Sequence, residues 1–516
     1  MTGKNSVGFN LSALGNHAFQ TFNPVTNTHN QTFFIEAVSQ EIEEAVLLAS
    51  NAFEELKGIS NFERAAFLEQ IAVKLNENKN LILSQYTIET GLPIDRAKLE
   101  FKRTIYQLTS FSQLVKKNNW RELSIDKADK TRIPVKPDIR KMLFGIGPVA
   151  VFGASNFPLA YSTIGGDSVS ALAAGCPVIV KSHPLHAGTG ELVTKCVLEA
   201  AKETEMPNGI FSNLNAQGFE VGMALVQHPL IKAVGFTGSI AGGRALFDLA
   251  NKRPEPIPVF AEMGSVNPVV LLPESLVEKI DQWSTMYADS ITASCGQFCT
   301  QPGLLFCVKS NTSDEFIDQL ISKVLQKIPQ TMLHPSIHSS FIRLKAERLR
   351  IEGLHFFEKE GGIDINSGQP TIAVVSGKHF QNNPSLEEEV FGPFSLIVEC
   401  ESINEISACL INLNGQLTAS VLGSLEEIKS NSNLIQYLQN KVGRIIFNGV
   451  PTGVEVCPSM NHGGPYPAST DSRYTAVGID SIKRFARPIA FQNCPDELLP
   501  DELKHSNPLN LVRREN

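Results

Sequence analysis

The sequence has no run approaching the roughly 18 apolar residues that a membrane-crossing helix needs. Its opening, MTGKNSVGFN, carries no apolar stretch behind its one lysine, so neither a bilayer span nor a secretory leader is expected. Long runs of Lys and Arg are also missing. With 45 basic residues against 53 acidic ones, the net charge is −8, which argues against a nucleic-acid partner and offers nothing to an anionic membrane. The nine cysteines form no CxxC pair and no Cys/His metal spacing. An odd, scattered set of this kind reads as reduced thiols in a cytoplasmic protein, with no metal and room for one catalytic thiol. No internal repeat of about 20–50 residues occurs, and no segment is low in complexity.

What is present is an ordinary globular composition: 516 residues, 42% apolar and 19% charged. At about 150 residues per domain that length suggests roughly three lobes, and a chain of this size needs no disulfide or metal staple. Residues 36–120 read as amphipathic helix; NFERAAFLEQIAVKLNENKNLIL has apolar residues at three- and four-residue steps, and Asn61 and Glu63 suit its start. From about residue 146 short apolar runs end in small or polar residues: GPVAVFGAS, CPVIVKS, GIFSNLN, IKAVGFTGS and, after the stiff Pro254, Pro256 and Pro258, VFAEMGS. Helix-like stretches lie between them. This alternation predicts a parallel sheet covered on both faces, with its ligand site beyond the C-terminal strand ends. PVVLLP, LLFCVKS, SLIVEC and GRIIFNG predict a second α/β lobe. RIPVKPDIRKMLFGIGPV (132–149) and IKRFARPIAFQ (482–492) read as extended hairpin material.

Several residues are chemically suggestive. In GFTGSIAGGRAL the small residues Gly238, Ser239 and Gly243 stand at a strand-to-helix junction, where backbone N–H groups can meet a phosphate; a tight helix-packing turn is the alternative. Arg244 and Ala245 replace the Lys-Ser/Thr of a nucleotide-triphosphate loop. Cys299 lies among small and polar residues in SCGQFCTQPG, with Cys295 as a competitor on spacing alone. Glu262 ends an apolar strand and suits a general base, or a cap or salt-bridged residue. Glu389 in LEEEVFGPF stands in an acidic run, and Asn156 in GASNFP suits an oxyanion donor or an Asx turn.

In order and spacing these segments resemble the aldehyde dehydrogenase superfamily. SNFP resembles its oxyanion segment, VKSHP its ribose-lysine strand end, GFTGS…G its phosphate turn, EMGSVNP its general-base motif, GQFCTQPG its nucleophile motif and EEVFGPF its nicotinamide-ribose segment. The match runs in register over roughly residues 30–490 and favours Cys299 over Cys295. The resemblance implies a doubly wound α/β cofactor domain (1–262, with an arm segment near 121–142), a second α/β catalytic lobe (263–465) and a C-terminal arm and tail (466–516) with a hairpin for oligomer contacts. It implies that Cys299 attacks an aldehyde, that Asn156 and the Cys299 N–H hold the oxyanion, and that hydride passes to the nicotinamide. Glu262 then activates water against the thioester. By the same likeness Lys181 and Glu389 bond the two cofactor riboses, Ser239 the pyrophosphate, and Phe391 packs at the nicotinamide ribose.

Two departures refine the expectation. Many NAD-using relatives continue Lys-Pro-Ser-Glu where this chain has Lys181-Ser182-His183-Pro184; no carboxylate stands there to repel a 2′-phosphate, so NADP is expected to be favoured over NAD. The usual Phe-Gly-Gly and Ser-Gly elements are replaced by NHGGPYPASTDSRYTAVG (461–478). With KSHPLHAGTG and LLPDELKHSNPL, that variant resembles the α-ketoglutaric semialdehyde (2,5-dioxovalerate) dehydrogenase branch. The expected reaction is therefore oxidation of 2,5-dioxopentanoate to 2-oxoglutarate. The alternatives are a fatty or other semialdehyde dehydrogenase and, more remotely, an inactive structural homologue. A buried substrate carboxylate needs a cation, for which Arg473 in the variant segment is one candidate, a plain surface arginine being the alternative. The likeness also implies a homodimer or homotetramer.

Overall fold

The computed structural model describes residues 1–359 and 364–516. Its first sheet runs in the order Val259–Glu262, Ala233–Thr237, Val149–Phe152, Val178–Lys181, Phe211–Leu214, followed by Asn5–Val7 and Asn10–Ser12. The first five strands are parallel, and the N-terminal hairpin joins antiparallel. Alternate side chains serve two cores, as a period of two requires. Val149, Val151, Val178 and Val180 face the helices Asn61–Glu77, Ile94–Lys117 and Ala187–Glu203. Ala150, Phe152, Ile179 and Val234 face Ser39–Leu56 and Glu220–Gln227. Burial on both faces is why these strands read as unbroken apolar runs.

The second sheet has the order His355–Glu358, Thr371–Ser376, Phe394–Cys400, Leu304–Val308, Val269–Leu271, Gln416–Leu422, Val442–Phe447, parallel except at its first strand. The four predicted strands of this lobe are all present; Thr371–Ser376 and Gln416–Leu422 were not among them. A four-stranded sheet joins Ala486–Gln492, Ile139–Gly145, Ser124–Asp126 and Arg514–Glu515. The expected hairpin material thus pairs differently from its reading: residues 132–137 form no strand, and Ile479–Phe485 is a 3-10 turn before the strand begins. None of the helices among the described residues is long and apolar enough to cross a membrane.

The predicted continuous helix through 61–83 divides at Asn78 into Asn61–Glu77 and Lys79–Thr90. Its cap is Ser60, not Asn61. Ser60 Oγ accepts from Glu63 N–H at 3.2 Å while the Glu63 carboxylate accepts from Ser60 N–H at 2.7 Å, a reciprocal box.

Candidate active site

The first sheet places its strand ends according to a simple rule. From Val149–Phe152 the chain builds outward to Val178–Lys181 and Phe211–Leu214, then crosses back to add Ala233–Thr237 on the other side. The reversal opens a crevice at the C-terminal ends of the two adjacent strands, where such sheets bind ligands. Gly153 to Asn156 leave one strand there, and Gly238–Ser239 leave the other. Ser239 caps helix Ile240–Asn251 by accepting from Gly242 N–H at 3.1 Å, which leaves its own hydroxyl proton free to donate. A Cβ on Gly238 would come 2.6 Å from the Phe236 ring, so the turn stays bare backbone, as close approach of a phosphate requires. Gly243 faces the other way. Its missing Cβ makes room for Met263 Sδ, 2.6 Å from the position it would occupy, so Gly243 is a helix-packing contact.

Lys181, half-buried at its strand end, is pulled down to about 8 by burial, against the charge of Glu36. The Glu36 carboxylate itself accepts from Gln217 N–H at 2.6 Å. His183 and His186 stack 4.9 Å apart behind the lysine; burial, and then each other's charge, hold His183 well below the ordinary histidine range. Glu389 is pushed up to about 7 by burial, opposed by a hydrogen bond from the Ser265 backbone. Its carboxylate packs against bare Gly264, where a Cβ would lie 2.4 Å from Oε2. Phe391 is half-buried just before Gly392.

Cys299 follows a backbone of unusual shape. Ser294, Cys295 and Gly296 all take positive φ, at 50°, 59° and 64°. A Cβ on Gly296 would meet the Gly392 carbonyl oxygen at 2.3 Å, so this glycine seats the loop bearing Glu389 and Phe391 on the loop bearing the thiol. Asn267 Nδ2 donates to the carbonyls of Cys299 and Gln301, both at 2.9 Å. Asn156 Nδ2 donates to Gln297 O at 2.9 Å, which aims its amide at the nucleophile loop. Cys295 is 2% exposed and its Sγ points to Gln330 O at 3.2 Å, a packed interior thiol.

Glu262 ends its strand at the sheet edge, 4% exposed. The variant segment 461–478 runs along that edge: Met263 N–H donates to Ala468 O at 2.8 Å, and Thr470 N–H to Ala261 O at 3.1 Å. This brings in His462, which the sequence reading did not single out. Its backbone is pinned by Thr475 and Ala476. Its Nε2 lies 2.9 Å from Glu262 Oε1 and 3.6 Å from Cys299 Sγ, and its buried Nδ1 has no hydrogen-bond partner. The three donor atoms all lie within 4.8 Å of one another, a set that would also suit zinc, although nothing in the sequence spacing announces it. Burial, then the charge and hydrogen bond of Glu262, hold the Cys299 thiol well above the usual thiol range, with Arg103 opposing.

Phe157, Tyr161 and Phe298 form an aromatic wall beside the thiol, with ring centroids 5.0 and 5.6 Å apart. The Tyr161 ring lies 6.3 Å from that of His462. Arg473, the candidate cation, is elsewhere: it is 77% exposed and held by Asp471 through bonds of 2.8 and 2.5 Å.

Comparison with known proteins agrees with this architecture. The chain is 40% identical over 517 residues, 99% of its length and 98% of the relative's, to alpha-ketoglutaric semialdehyde dehydrogenase 2 of Azospirillum brasilense. It is 41% identical over 491 residues, 93% and 91% of the two lengths, to alpha-ketoglutaric semialdehyde dehydrogenase of Acinetobacter baylyi. Among solved structures, a 1-pyrroline-5-carboxylate dehydrogenase superposes with a TM-score of 0.80 at 18% identity, covering 95% of this chain and 92% of that one. Aldehyde dehydrogenase 21 of Physcomitrella patens superposes with a TM-score of 0.79 at 19% identity, covering 95% and 98%. The aldehyde dehydrogenase family matches residues 12–482, and with the doubly wound sheet and second α/β lobe in place, the chain belongs to that family.

Proposed function

We propose that the chain oxidises 2,5-dioxopentanoate to 2-oxoglutarate with a nicotinamide cofactor, NADP favoured over NAD. The observation that carries this reading is its 40–41% identity, over nearly its whole length, with two relatives that bear that substrate's name. The site supports it with the chemistry that aldehyde oxidation needs.

The thiol proton of Cys299 leaves toward the Glu262 carboxylate, whose Oε1 lies 2.9 Å from His462 Nε2, itself 3.6 Å from Sγ, and it is released to solvent before the hydrolytic step. The freed sulfur adds to the aldehyde carbon. The resulting oxyanion is held by the Cys299 backbone N–H and the second N–H of the Asn156 amide, donors fixed before charge develops. When bound, the nicotinamide cofactor accepts the hydride leaving that carbon. Glu262, with both carboxylate oxygens buried and lacking a well-formed hydrogen bond, then draws a proton from water. Water adds to the thioester, the C–S bond breaks, and the acid departs as the thiol is restored. Ser239 and the bare turn at Gly238 suit the pyrophosphate, while Lys181 and Glu389 suit the two riboses. Segment 181–184 holds no carboxylate against a 2′-phosphate, which is the support for NADP.

Free edges at Ala486–Gln492 and Val442–Phe447 support a homodimer or homotetramer built by strand pairing between copies. The deciding experiment compares kcat/KM for 2,5-dioxopentanoate and hexanal, each with NAD and NADP. A semialdehyde advantage of about 100-fold is expected, near 2.7 kcal/mol. Preference for hexanal would overturn the substrate, and an NAD advantage beyond about tenfold would overturn the cofactor preference.

A further inference from the structure

A short aldehyde that carries a carboxylate must leave that charge somewhere near the thiol, and Arg473 is already neutralised by Asp471. Two other arginines are not. Arg103, from helix Ile94–Lys117, donates through Nη2 to Tyr161 Oη at 2.8 Å and through Nη1 to the Val454 carbonyl. Arg444, from strand Val442–Phe447 of the other lobe, donates through Nη2 to Pro451 O at 2.7 Å and through Nη1 to Gly453 O at 3.4 Å. The two side chains therefore grip the same loop, 451–454. Among the described residues neither has a carboxylate within ion-pair distance, and the Nε of each is buried without an acceptor.

Their neighbour Arg96 makes the contrast. It lies two turns earlier on the same helix and is paired with Glu100 at 3.1 Å, its guanidinium 4.3 Å from the Phe157 ring centroid. Arg103 reaches the surroundings of the thiol through Tyr161, whose ring lies 6.3 Å from that of His462, and the charges of both arginines act on Cys299. Two half-buried cations without a counter-ion are costly. A ligand carboxylate would relieve that cost through charge-assisted bonds.

We propose that Arg103 and Arg444, one from each lobe, form the subsite that holds the carboxylate of a short oxo-acid aldehyde. This rests on the semialdehyde reading above. The subsite selects against uncharged aldehydes because an apolar end would leave both cations unpaired.

The test uses the full-length enzyme with 2,5-dioxopentanoate and with pentanal, a five-carbon aldehyde without the carboxylate. In Arg103→Gln and Arg444→Gln, KM for the semialdehyde should rise at least tenfold with kcat within about threefold, while kcat/KM for pentanal holds or rises. Parallel losses with both substrates would mean that the arginines only hold loop 451–454, and would overturn the proposal. A native enzyme that uses pentanal as well as the semialdehyde would instead overturn the substrate reading. Inhibition of pentanal oxidation by glutarate in the native enzyme separates the two failures and needs no variant. Competitive inhibition by glutarate, absent with 1,5-pentanediol, is expected; no inhibition by glutarate would overturn the subsite.

Discussion

Cys295 and Cys299 stand four residues apart, yet burial pushes Cys295 up to about 12 among backbone carbonyls, while Cys299 faces an imidazole and a carboxylate. Because the negative Glu262 helps hold the Cys299 proton, the resting thiol is protonated at neutral pH. Alkylation by iodoacetamide should be slow at pH 7 and rise through pH 9. Glu262→Gln removes the charge that favours the thiol, so alkylation at pH 7 should become several-fold faster; a slower reaction would mean that Glu262 takes the thiol proton even in the free enzyme. Glu389 titrates at the other end of the site. Its folded value, about 7, is raised by burial, so it is largely protonated at pH 6 and largely a carboxylate at pH 8. If the ionised form accepts the ribose hydroxyls, cofactor Kd should fall about five- to tenfold over that interval, and the change should vanish in Glu389→Gln. Titration of cofactor by fluorescence checks both. At this scale the sequence was informative wherever a residue lay in a compact motif, at a strand end for Lys181 and Glu262, in a bend for Asn156 and in a turn for Cys299. His462, Tyr161, Arg103 and Arg444 were not legible, because each comes from a segment whose local pattern is unremarkable for chemistry. His462 and Cys299 are 163 positions apart, and only the path of the 461–478 segment along the sheet edge joins them.

The helices and strands follow from apolar period and end signals, and their departures have local causes. Asn78 ends one helix and starts the next by returning its own N–H and side-chain amide to Lys74 O, a break that hydrophobic spacing does not register. Strand Gln416–Leu422 is fully buried, but its sequence QLTASVL carries Thr and Ser, which masked the apolar run. The Thr418 hydroxyl finds its partner only in the tertiary structure, where Oγ1 donates to Asn267 Oδ1 at 2.9 Å. The loops that meet at Gly296 provide a sharper test of how elements cooperate. Gly296→Ala asks a Cβ to occupy a left-handed conformation, which costs about 1–2 kcal/mol, and to sit 2.3 Å from a carbonyl oxygen. Both the thiol loop and the Glu389 loop must then shift. A fall in kcat/KM of at least about 100-fold is expected, with a raised cofactor Kd, whereas a purely local effect would leave cofactor binding intact.

Across the whole molecule, segments near both ends are structural. Asn5–Val7 pairs with Phe211–Leu214 in the first sheet. Leu499 and Leu503 pack with Leu123 and Met142 beneath the four-stranded sheet, and Arg514–Glu515 adds a parallel strand to Ser124–Asp126. Deleting residues 496–516 would uncover that small core and loosen the sheet whose free edge is read as an oligomer contact. A lower melting temperature and a smaller assembly by light scattering are expected; an unchanged mass would place the subunit contact elsewhere. The two-lobe layout was legible because alternating strands and helices repeat over hundreds of residues. How residues 124–145 and 486–515 assemble was not, since short exposed strands leave little apolar signature.

The passage of the chain through the site also sets an order in time. Residues up to Glu262 can complete the parallel part of the cofactor sheet, but His462 and the segment that closes its edge emerge about 200 residues later. At roughly 5–20 residues per second that interval is about 10–40 s. Throughout it Ile482 and Phe485, which complete the core beneath the first sheet, are also still to come, and once residue 299 emerges the thiol stands without its histidine. Thiol, carboxylate and imidazole therefore meet only near the end of synthesis, so a chain cut short before residue 462 carries the cysteine without its histidine partner.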